Sequence, residues 1–346
     1  MWLISLRDLQ WRRRRFAIAV AATALVFALA LLLSGVSASF DNEAERTVSS
    51  FGADRFLVAR GSFGPFTGPT AFPAGTVDAV RRLPGVTAAD PVAVLRATTT
   101  TPSERNLELI GAVPGGVGPA STAGGLLRRS RDALVDASLG LGAGDALTLN
   151  GVRFRVVGVT HGHTYFAGVP TVVVSLADAQ QLGLDGRPLA TAIVTRGVPR
   201  SLPPTLSLLD RHEVLADLGR PVAQAKQTID LIRWLLWAVA AAIIGAIVYL
   251  SALERTADFA VLKAIGVSTR TVVMGLVAQS TLLAALAVSL SVVLEILMAP
   301  ASAMSVEVPP SAYLLLPVVA LVIGVAASMV ALRRALRVDP ALAFAG

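Results

Sequence analysis

Four long runs of uncharged, apolar residues constrain this chain more than any other feature of its sequence. They contain no Asp, Glu, Lys or Arg and are rich in Ala, Val and Leu: Phe16–Ala38, Trp234–Leu253, Thr271–Leu294 and Tyr313–Leu332. A helix needs about 20 residues to cross the hydrocarbon core of a bilayer, and a buried helix of a soluble protein is rarely apolar on every face for so long. The sequence therefore predicts four transmembrane helices.

The composition argues against a soluble enzyme. Hydrophobic residues make up 54% of the 346 residues and charged residues 15%, whereas soluble domains carry about 25% charged residues. The absence of cysteine excludes a disulfide scaffold, a cysteine-ligated zinc or iron–sulfur site and a cysteine nucleophile. The stretch between the first two apolar runs is long enough to fold around its own core.

The distribution of basic residues predicts how the spans are oriented. Residues 1–15, 254–270 and 333–346 together carry eleven basic and four acidic residues, which equals the net charge of +7, while residues 39–230 carry 18 basic and 17 acidic residues. Positively charged flanks stay in the cytoplasm. We therefore expect both termini to be cytoplasmic in a multi-pass protein of the bacterial cytoplasmic (inner) membrane. Because topology explains the basic excess, nucleic-acid binding loses its main support.

These observations give a complete domain map. In chain order it comprises an amphipathic cytoplasmic helix (1–15), a first span (16–38), an extracytoplasmic domain (39–230), a second span (231–253), a cytoplasmic segment (254–270), a third span (271–298), an outer loop (299–312), a fourth span (313–332) and a cytoplasmic tail (333–346). An alternative for the first run is a cleaved signal peptide, because Arg12–Arg15 precede it and small residues end it. The run is longer than the apolar region of a signal peptide, which favours a retained anchor.

The 39–230 region alternates short strands with short helices, which predicts an α+β domain. Its clearest local signal is Asn150-Gly151 between alternating apolar positions, typical of a type I′ hairpin turn. The other predicted elements are a helix at Val77–Leu83, strands at Arg105–Val113, Thr171–Val174 and Thr191–Val194, and a helix at Leu176–Leu182.

Two segments next to the spans are predicted to be helical stalks. Asp41–Ser50 and Val222–Trp234 contain no Gly or Pro, and His212-Glu213 suits the start of a helix. Both spans are therefore expected to continue outward as helices. A helical stalk transmits displacement, whereas a Gly/Ser linker absorbs it.

The chain lacks the motifs of an enzyme or a motor. Its only two lysines, Lys226 and Lys263, do not lie in a G-x-x-x-x-G-K-[ST] loop, so any ATP and its magnesium must be bound by another polypeptide. His161 and His163 form a weak metal signal, and a solvated turn is the better interpretation. Glu295 is expected to be exposed to water or paired with Arg233 at the outer end of the third span. We expect no catalytic residue, metal site or cofactor in this chain.

Residues 254–267, ERTADFAVLKAIGV, closely resemble the cytoplasmic signature of the MacB/FtsX-like ABC transporter permeases. Asp258 takes the position of a usual glutamate, and Ala257 departs from a residue that is often charged. The outer domain adds LGAGD at 141–145 and FRVVG at 154–158, and the tail adds RRALRVDPALA at 333–343. Together with the topology, the resemblance covers essentially the whole chain. It is closest to actinobacterial permeases with a separately encoded ATPase.

This resemblance implies a permease subunit of the type VII, or mechanotransmission, class. Such a chain forms a homodimer, binds two copies of an ABC ATPase subunit and couples ATP hydrolysis to movement of a MacB-like periplasmic core domain, for export or extraction of a substrate. The segment at 254–267 then docks on the ATPase. The residues expected to couple to it are Glu254, Arg255, Asp258, Phe259, Leu262, Lys263 and Gly266.

The sequence leaves several alternatives open. An FtsX-like permease that regulates an extracellular cell-wall hydrolase would bind an extracytoplasmic protein and transport nothing. A membrane-anchored sensor without an ATPase would account for the outer domain but not for residues 254–267. The sequence identifies neither a substrate nor the residues that would contact one.

Overall fold

The computed structural model describes residues 13–119, 123–166, 168–254, 268–299 and 307–335. Two compact units make up the chain: Met1–Ala38 with Lys226–Gly346, and Ser39–Ala225. We call them the apolar unit and the outer domain. Most of the predicted amphipathic helix at 1–15 and of the tail at 333–346 lies outside the described residues.

Long helices dominate the apolar unit. In the described part of the chain the helices are α1 (Arg13–Ser50), α2 (Val77–Arg81), α3 (Leu176–Gly183), α4 (Arg211–Glu254), α5 (Thr269–Met298) and α6 (Pro310–Ala335). Among the described residues, three helical stretches are long and apolar enough to cross a membrane: Phe16–Ser50, Arg211–Ser251 and Val277–Met298. The apolar helix Pro310–Ala326 is shorter, so the count of four spans stays a prediction.

Small side chains allow the helices of the apolar unit to pack closely. Its core consists mainly of alanine with a few large residues: Ala24, Phe27, Leu31, Ala240, Ala284, Ala287, Leu316 and Ala320. A Cβ atom at Gly324 would lie 3.3 Å from the Ser280 hydroxyl oxygen. Glycine at this position therefore lets α6 approach α5, as small residues do at helix interfaces within membranes.

A mixed β-sheet forms the centre of the outer domain. The described strands of the domain are β1 (Arg55–Ala59), β2 (Phe72–Pro73), β3 (Val86–Thr99), β4 (Arg105–Ala112), β5 (Ala123–Gly124), β6 (Asp132–Asp136), β7 (Ala146–Leu149), β8 (Val152–Thr160), β9 (Thr164–Tyr165), β10 (Val169–Ser175), β11 (Leu189–Ala190), β12 (Ala192–Gly197) and β13 (Leu206–Leu209). Strands β2 and β11 form a separate two-stranded sheet. The main path through the sheet is β13-β1-β12-β3-β4-β10-β6-β8-β5. The pairs β4/β10 and β6/β8 are parallel.

The long strand β3 holds the two parts of this sheet together. Its first half pairs with β12, from Val86 to Val92, and its second half pairs with β4, from Ala93 to Thr99. One continuous strand therefore joins the β1/β12/β13 region to the β4/β10/β6/β8 region.

The two faces of the sheet pack against different helices. Residues on one face, including Val94, Ile110 and Val173, share a core with two stalk segments. These contribute Val48 of α1 with Phe51 directly after it, and Val214 and Leu218 of α4. We call this side the stalk face. Residues on the opposite face, such as Leu109 and Val172, pack with Ala179 of α3. This alternation follows from the two-residue period of a strand.

The structure confirms the local predictions in the outer domain. Asn150 and Gly151 both have positive φ angles, 45° and 81°, and join β7 to β8, as a type I′ turn requires. The predicted helix at Leu176–Leu182 is α3, and the predicted strands correspond to β4, β10 and β12. The stalk prediction is also confirmed, because α1 runs without a break to Ser50 and α4 begins at Arg211, before the predicted segment.

We predict that Gly111→Ala destabilises the outer domain. A Cβ atom at Gly111 in β4 would lie 2.4 Å from the Ala179 Cβ atom in α3, so the helix must move away from the sheet at a cost of about 1–3 kcal/mol. Hydrogen exchange of the β4 and α3 amides in the full-length protein should become faster. Gly75→Ala is the control, because no atom lies within 4 Å of the added Cβ there; equal exchange in both variants would contradict the prediction.

Candidate functional site

The structure describes both flanks of the predicted coupling segment. Helix α4 ends at Glu254, the first of the predicted coupling residues. Helix α5 begins at Thr269 after an N-cap at Ser268, whose hydroxyl accepts a hydrogen bond from the Thr271 N–H at 3.4 Å. The other predicted coupling residues lie outside the described residues: Arg255, Asp258, Phe259, Leu262, Lys263 and Gly266.

Hydrogen bonds between side chains of different helices lie inside the apolar unit. Gln279 of α5 donates a hydrogen bond from its side-chain amide to the Ser251 hydroxyl of α4 at 3.2 Å, and both residues are buried. This contact lies near the end of α4 that leads to the coupling segment. The second contact corrects a prediction about Glu295.

Glu295 is neither exposed nor paired with Arg233, contrary to the prediction. It is 3% exposed and accepts a hydrogen bond from the Tyr313 hydroxyl at 2.9 Å. Arg233 instead forms an ion pair with Asp230 one turn earlier in α4, at 2.8 Å. Arg233 is therefore paired within its own helix, and Glu295 is bound by a tyrosine of α6.

Hydrogen bonds fix the end of α1 in the outer domain. The Thr164 hydroxyl donates to the Glu43 carboxylate at 2.8 Å, and the Thr47 hydroxyl donates to the Thr164 carbonyl at 3.4 Å. In the next turn, Val48 and Phe51 enter the core of the stalk face. The last two turns of α1 are therefore held by polar and apolar contacts together.

Helix α4 is held by a cap and by a buried carboxylate. Asp210 and Glu213 exchange hydrogen bonds between side chain and backbone, at 2.9 and 2.8 Å, in the reciprocal pattern of a capping box. Asp217 is fully buried and accepts hydrogen bonds from the Phe66 N–H at 2.9 Å and the Thr67 N–H at 3.2 Å. The Thr67 hydroxyl also donates to Asp217.

Arg211 connects the two stalk helices. Its guanidinium donates to the Ser49 hydroxyl of α1 at 2.7 Å and forms an ion pair with Glu45 of the same helix. All three residues belong to the outer domain. These contacts join the end of α1 to the start of α4, and we call this region the junction.

Sequence reasoning missed the residues of this junction, although one signal was present. Asp210 followed three residues later by Glu213 is a capping-box pattern that places the helix start at Arg211. The partners of Asp217 and Thr164 are 150 and 121 residues away, and no local pattern indicates them.

His163, one of the two histidines of the weak metal signal, is half-buried. Its backbone N–H donates to the Asp136 carboxylate at 2.9 Å. Burial lowers the pKa of its imidazole, and the negative charge of Asp136 opposes this effect.

Two models of known protein families match successive parts of the chain. A family model described as the MacB-like periplasmic core domain matches residues 16–200, and one described as the FtsX-like permease C-terminal region matches residues 231–340. The chain belongs to the FtsX/MacB family of ABC transporter permeases. This confirms the resemblance seen in the sequence, and with its apolar helices it identifies a membrane protein.

Several permeases are similar to this one over the full length. It is 42% identical to an ABC transporter permease of Mycobacterium tuberculosis (strain ATCC 25618 / H37Rv), over 100% of both chains, and 40% identical to a second one from that strain, also over 100% of both chains. A permease of Mycobacterium bovis is 42% identical over 100% of both chains.

Two solved extracytoplasmic domains are also similar to parts of this permease. The periplasmic region of MacB from Actinobacillus actinomycetemcomitans aligns with 54% of this chain and 97% of its own, at 10% identity and a TM-score of 0.35. The extracellular domain of YknZ from Gram-positive bacteria aligns with 43% of this chain and 84% of its own, at 13% identity and a TM-score of 0.32.

We predict that Asp217→Ala loosens the junction between α4 and the 64–67 segment. The substitution removes the acceptor of three hydrogen bonds and leaves two N–H donors unpaired, at a cost of about 3 kcal/mol. Hydrogen exchange at Phe66 and Thr67 should become faster in the full-length permease. Asp78→Ala is the control, since it removes only a solvent-exposed ion pair with Arg81; slow exchange at Phe66 in both variants would contradict the role of Asp217.

Proposed function

We propose that this permease couples ATP hydrolysis by a separate nucleotide-binding subunit to movement of its outer domain. The observation that carries the proposal is the continuity of α1 and α4. Each helix runs unbroken through the boundary between the two units, and its end is fixed in the core of the outer domain. A rigid helix passes a displacement on to whatever holds its end.

The coupling segment is proposed to supply the driving motion. Residues 254–267 combine apolar Phe259, Val261, Leu262 and Ile265 with charged neighbours, a pattern suited to a groove on a partner protein. The chain has no phosphate-binding loop of its own. ATP binding in the partner would draw the coupling segments of two permease copies together and tilt their spans.

The complete assembly in this proposal is a homodimer of four-span chains bound to two ATPase subunits. The outer domain, inserted between the first and second spans, faces the extracytoplasmic side, and both termini face the cytoplasm. The substrate is handled outside the membrane, for export or extraction, because the four apolar runs at 16–38, 234–253, 271–294 and 313–332 contain no charged residue. ATP and magnesium are bound by the partner, and this chain performs no catalysis.

We predict that Phe259→Asp with Leu262→Asp abolishes binding of the ATPase. Two carboxylates in place of apolar contacts cannot enter an apolar groove without a large desolvation cost. The tagged permease, extracted gently from its native membrane, should carry a roughly stoichiometric ATPase, and the double variant should carry none.

The matched control is Leu126→Asp, which places a carboxylate at an exposed leucine of the outer domain. It should retain the ATPase and its activity. An ATPase that stays bound to the 259/262 variant would show that the coupling segment is assigned wrongly. A monodisperse parent protein without any ATPase would instead favour a membrane-anchored sensor.

We predict that flexible stalks uncouple the outer domain from the ATPase. The double variant Asp41→Gly with Asn42→Gly replaces two residues of α1 with glycine, and each glycine lowers helix stability by about 1 kcal/mol relative to alanine. The control, Asp41→Ala with Asn42→Ala, keeps the helix stiff. Ala143→Cys in an exposed loop gives a unique spin-label site, because the chain has no cysteine.

The distance between the two labels of the dimer should change on addition of ATP in the alanine variant and change much less in the glycine variant. ATPase binding should be equal in both variants. An equal ATP-dependent change in both variants would contradict transmission through α1.

A further inference from the structure

The outer domain contains a cavity that the coupling proposal does not use. Its volume is about 410 Å³, within the range of small-molecule sites. The residues that line it include Arg96, Thr98, Asn106, Glu108, Phe166 and Val169. All of them belong to the outer domain, so binding of a ligand here does not depend on the proposed coupling to an ATPase.

The floor of the cavity is the part of the stalk face that lies beyond its apolar core. Val94 of β3 and Ile110 of β4 are paired across the strands and buried in that core. The next two cross-strand pairs at the two-residue period of the strands are polar: Arg96 with Glu108, and Thr98 with Asn106. Because side chains alternate between the two faces of a sheet, these four lie on the same face as the core residues. The apolar core therefore gives way to a polar floor at the open end of this hairpin.

Three side chains of this floor have no hydrogen-bond or ion-pair partner in the part of the chain that the structure describes. They are Arg96 and Asn106, which are exposed, and Glu108, which is 4% exposed at the base of the cavity. The Thr98 hydroxyl, in contrast, donates to the Asn150 side-chain oxygen at 3.2 Å. The guanidinium and amide offer N–H donors, and the amide and carboxyl offer oxygen acceptors. The floor thus presents donors and acceptors that the fold itself does not use.

Phe166 and Val169 give the cavity an apolar wall. Phe166 follows β9 with a positive φ angle of 42°, a conformation that bulky residues rarely adopt. Its ring packs against the ring of the buried Tyr165, with centroids 5.9 Å apart. The backbone accepts strain and thereby keeps an aromatic ring beside the polar floor. Strain of this kind is concentrated at functional sites.

An aromatic wall next to unused donors and acceptors matches the surface of a sugar ring. A pyranose has a face of C–H groups that packs on aromatic rings, and its hydroxyl groups each donate one hydrogen bond and accept others. We infer that this cavity binds a neutral saccharide, with the Phe166 ring against the C–H face of one sugar and Arg96, Asn106 and Glu108 bound to its hydroxyls. A hydroxyl can pair with the Glu108 carboxyl whether that group is ionised or protonated, whereas Arg96 repels a cation.

The test is saturation-transfer NMR on the full-length permease in phosphatidylcholine nanodiscs, which contain no sugar. The probes are the methyl glycosides of D-glucose, D-galactose and D-mannose, with glycerol and acetate as comparison ligands. At least one glycoside should bind the parent protein. The same glycoside should bind Arg96→Ala and Asn106→Ala at least about tenfold more weakly, because each substitution leaves a bound hydroxyl without its partner.

The matched control is Arg105→Ala. Arg105 is also an exposed arginine of the β3–β4 hairpin, but it lies three residues before Glu108 and hence on the opposite face of β4. Its removal should leave glycoside binding unchanged. Because Arg96 and Asn106 are exposed as well, their truncation leaves the core of the domain intact.

The ring contact gives a second readout that a merely structural role would not produce. Irradiation of the aromatic protons of the protein should transfer saturation mainly to the C–H protons on one face of the bound sugar. Phe166→Leu keeps an apolar wall but removes the aromatic ring, so this transfer should disappear and binding should weaken about threefold or more. Glycerol has hydroxyls but no ring face and should not bind.

Three results would overturn the inference. They are the absence of binding by all three glycosides to the parent, equal affinity of the parent and of both Arg96→Ala and Asn106→Ala, and binding of acetate or glycerol as tight as that of the bound glycoside. Binding of one glycoside alone would identify the hydroxyl configuration that the floor recognises. Equal binding of all three would show that the site contacts only the features they share; both results support a saccharide site.

Discussion

Burial of the ends of α1 and α4 against one face of the sheet is the contact on which the outer domain depends. Val48 of α1 with the adjoining Phe51, and Val214 and Leu218 of α4, share a single core with β1, β3, β4, β10 and β12. Each such side chain contributes roughly 1.5–3 kcal/mol when it leaves water. The same contact that completes the fold of the domain also fixes the two helices that lead to the apolar unit.

Three of the buried carboxylates of the outer domain lie in different environments. Asp217 accepts three hydrogen bonds from residues 66–67 and so holds α4 against this segment. Burial alone would raise the pKa of Asp132, but N–H donors from Arg129 and Arg128 and the Arg155 guanidinium lower it below its ordinary value. Glu108 has only the attraction of Arg96, and its pKa rises. The N–H donors and the guanidinium around Asp132 therefore account for a pKa shift opposite to that of Glu108.

Local patterns in the sequence predicted local structure well. The Asn150-Gly151 turn, helix α3 and the helical stalks depend on residues that are close in the sequence, and the structure confirms them. The long strand β3 was not predicted, because its sequence includes Asp90, Pro91 and several alanines and its partners come from both sides of the chain. The error on Glu295 has the same origin, since its partner Tyr313 lies 18 residues away. The coupling residues were predicted from a family motif, and six of the seven lie outside the described residues.

The length of the stalk helices sets a mechanical scale. At 1.5 Å per residue, the 38 residues of α1 extend about 57 Å, nearly twice the ~30 Å thickness of the hydrocarbon core. About 27 Å of the helix would therefore extend beyond the core, and a tilt of about 10° about the outer surface of the core would move its far end sideways by about 5 Å. In the proposed mechanism, a small rotation in the membrane would thus become a displacement larger than the diameter of a water molecule at the outer domain, without any rearrangement inside the β-sheet.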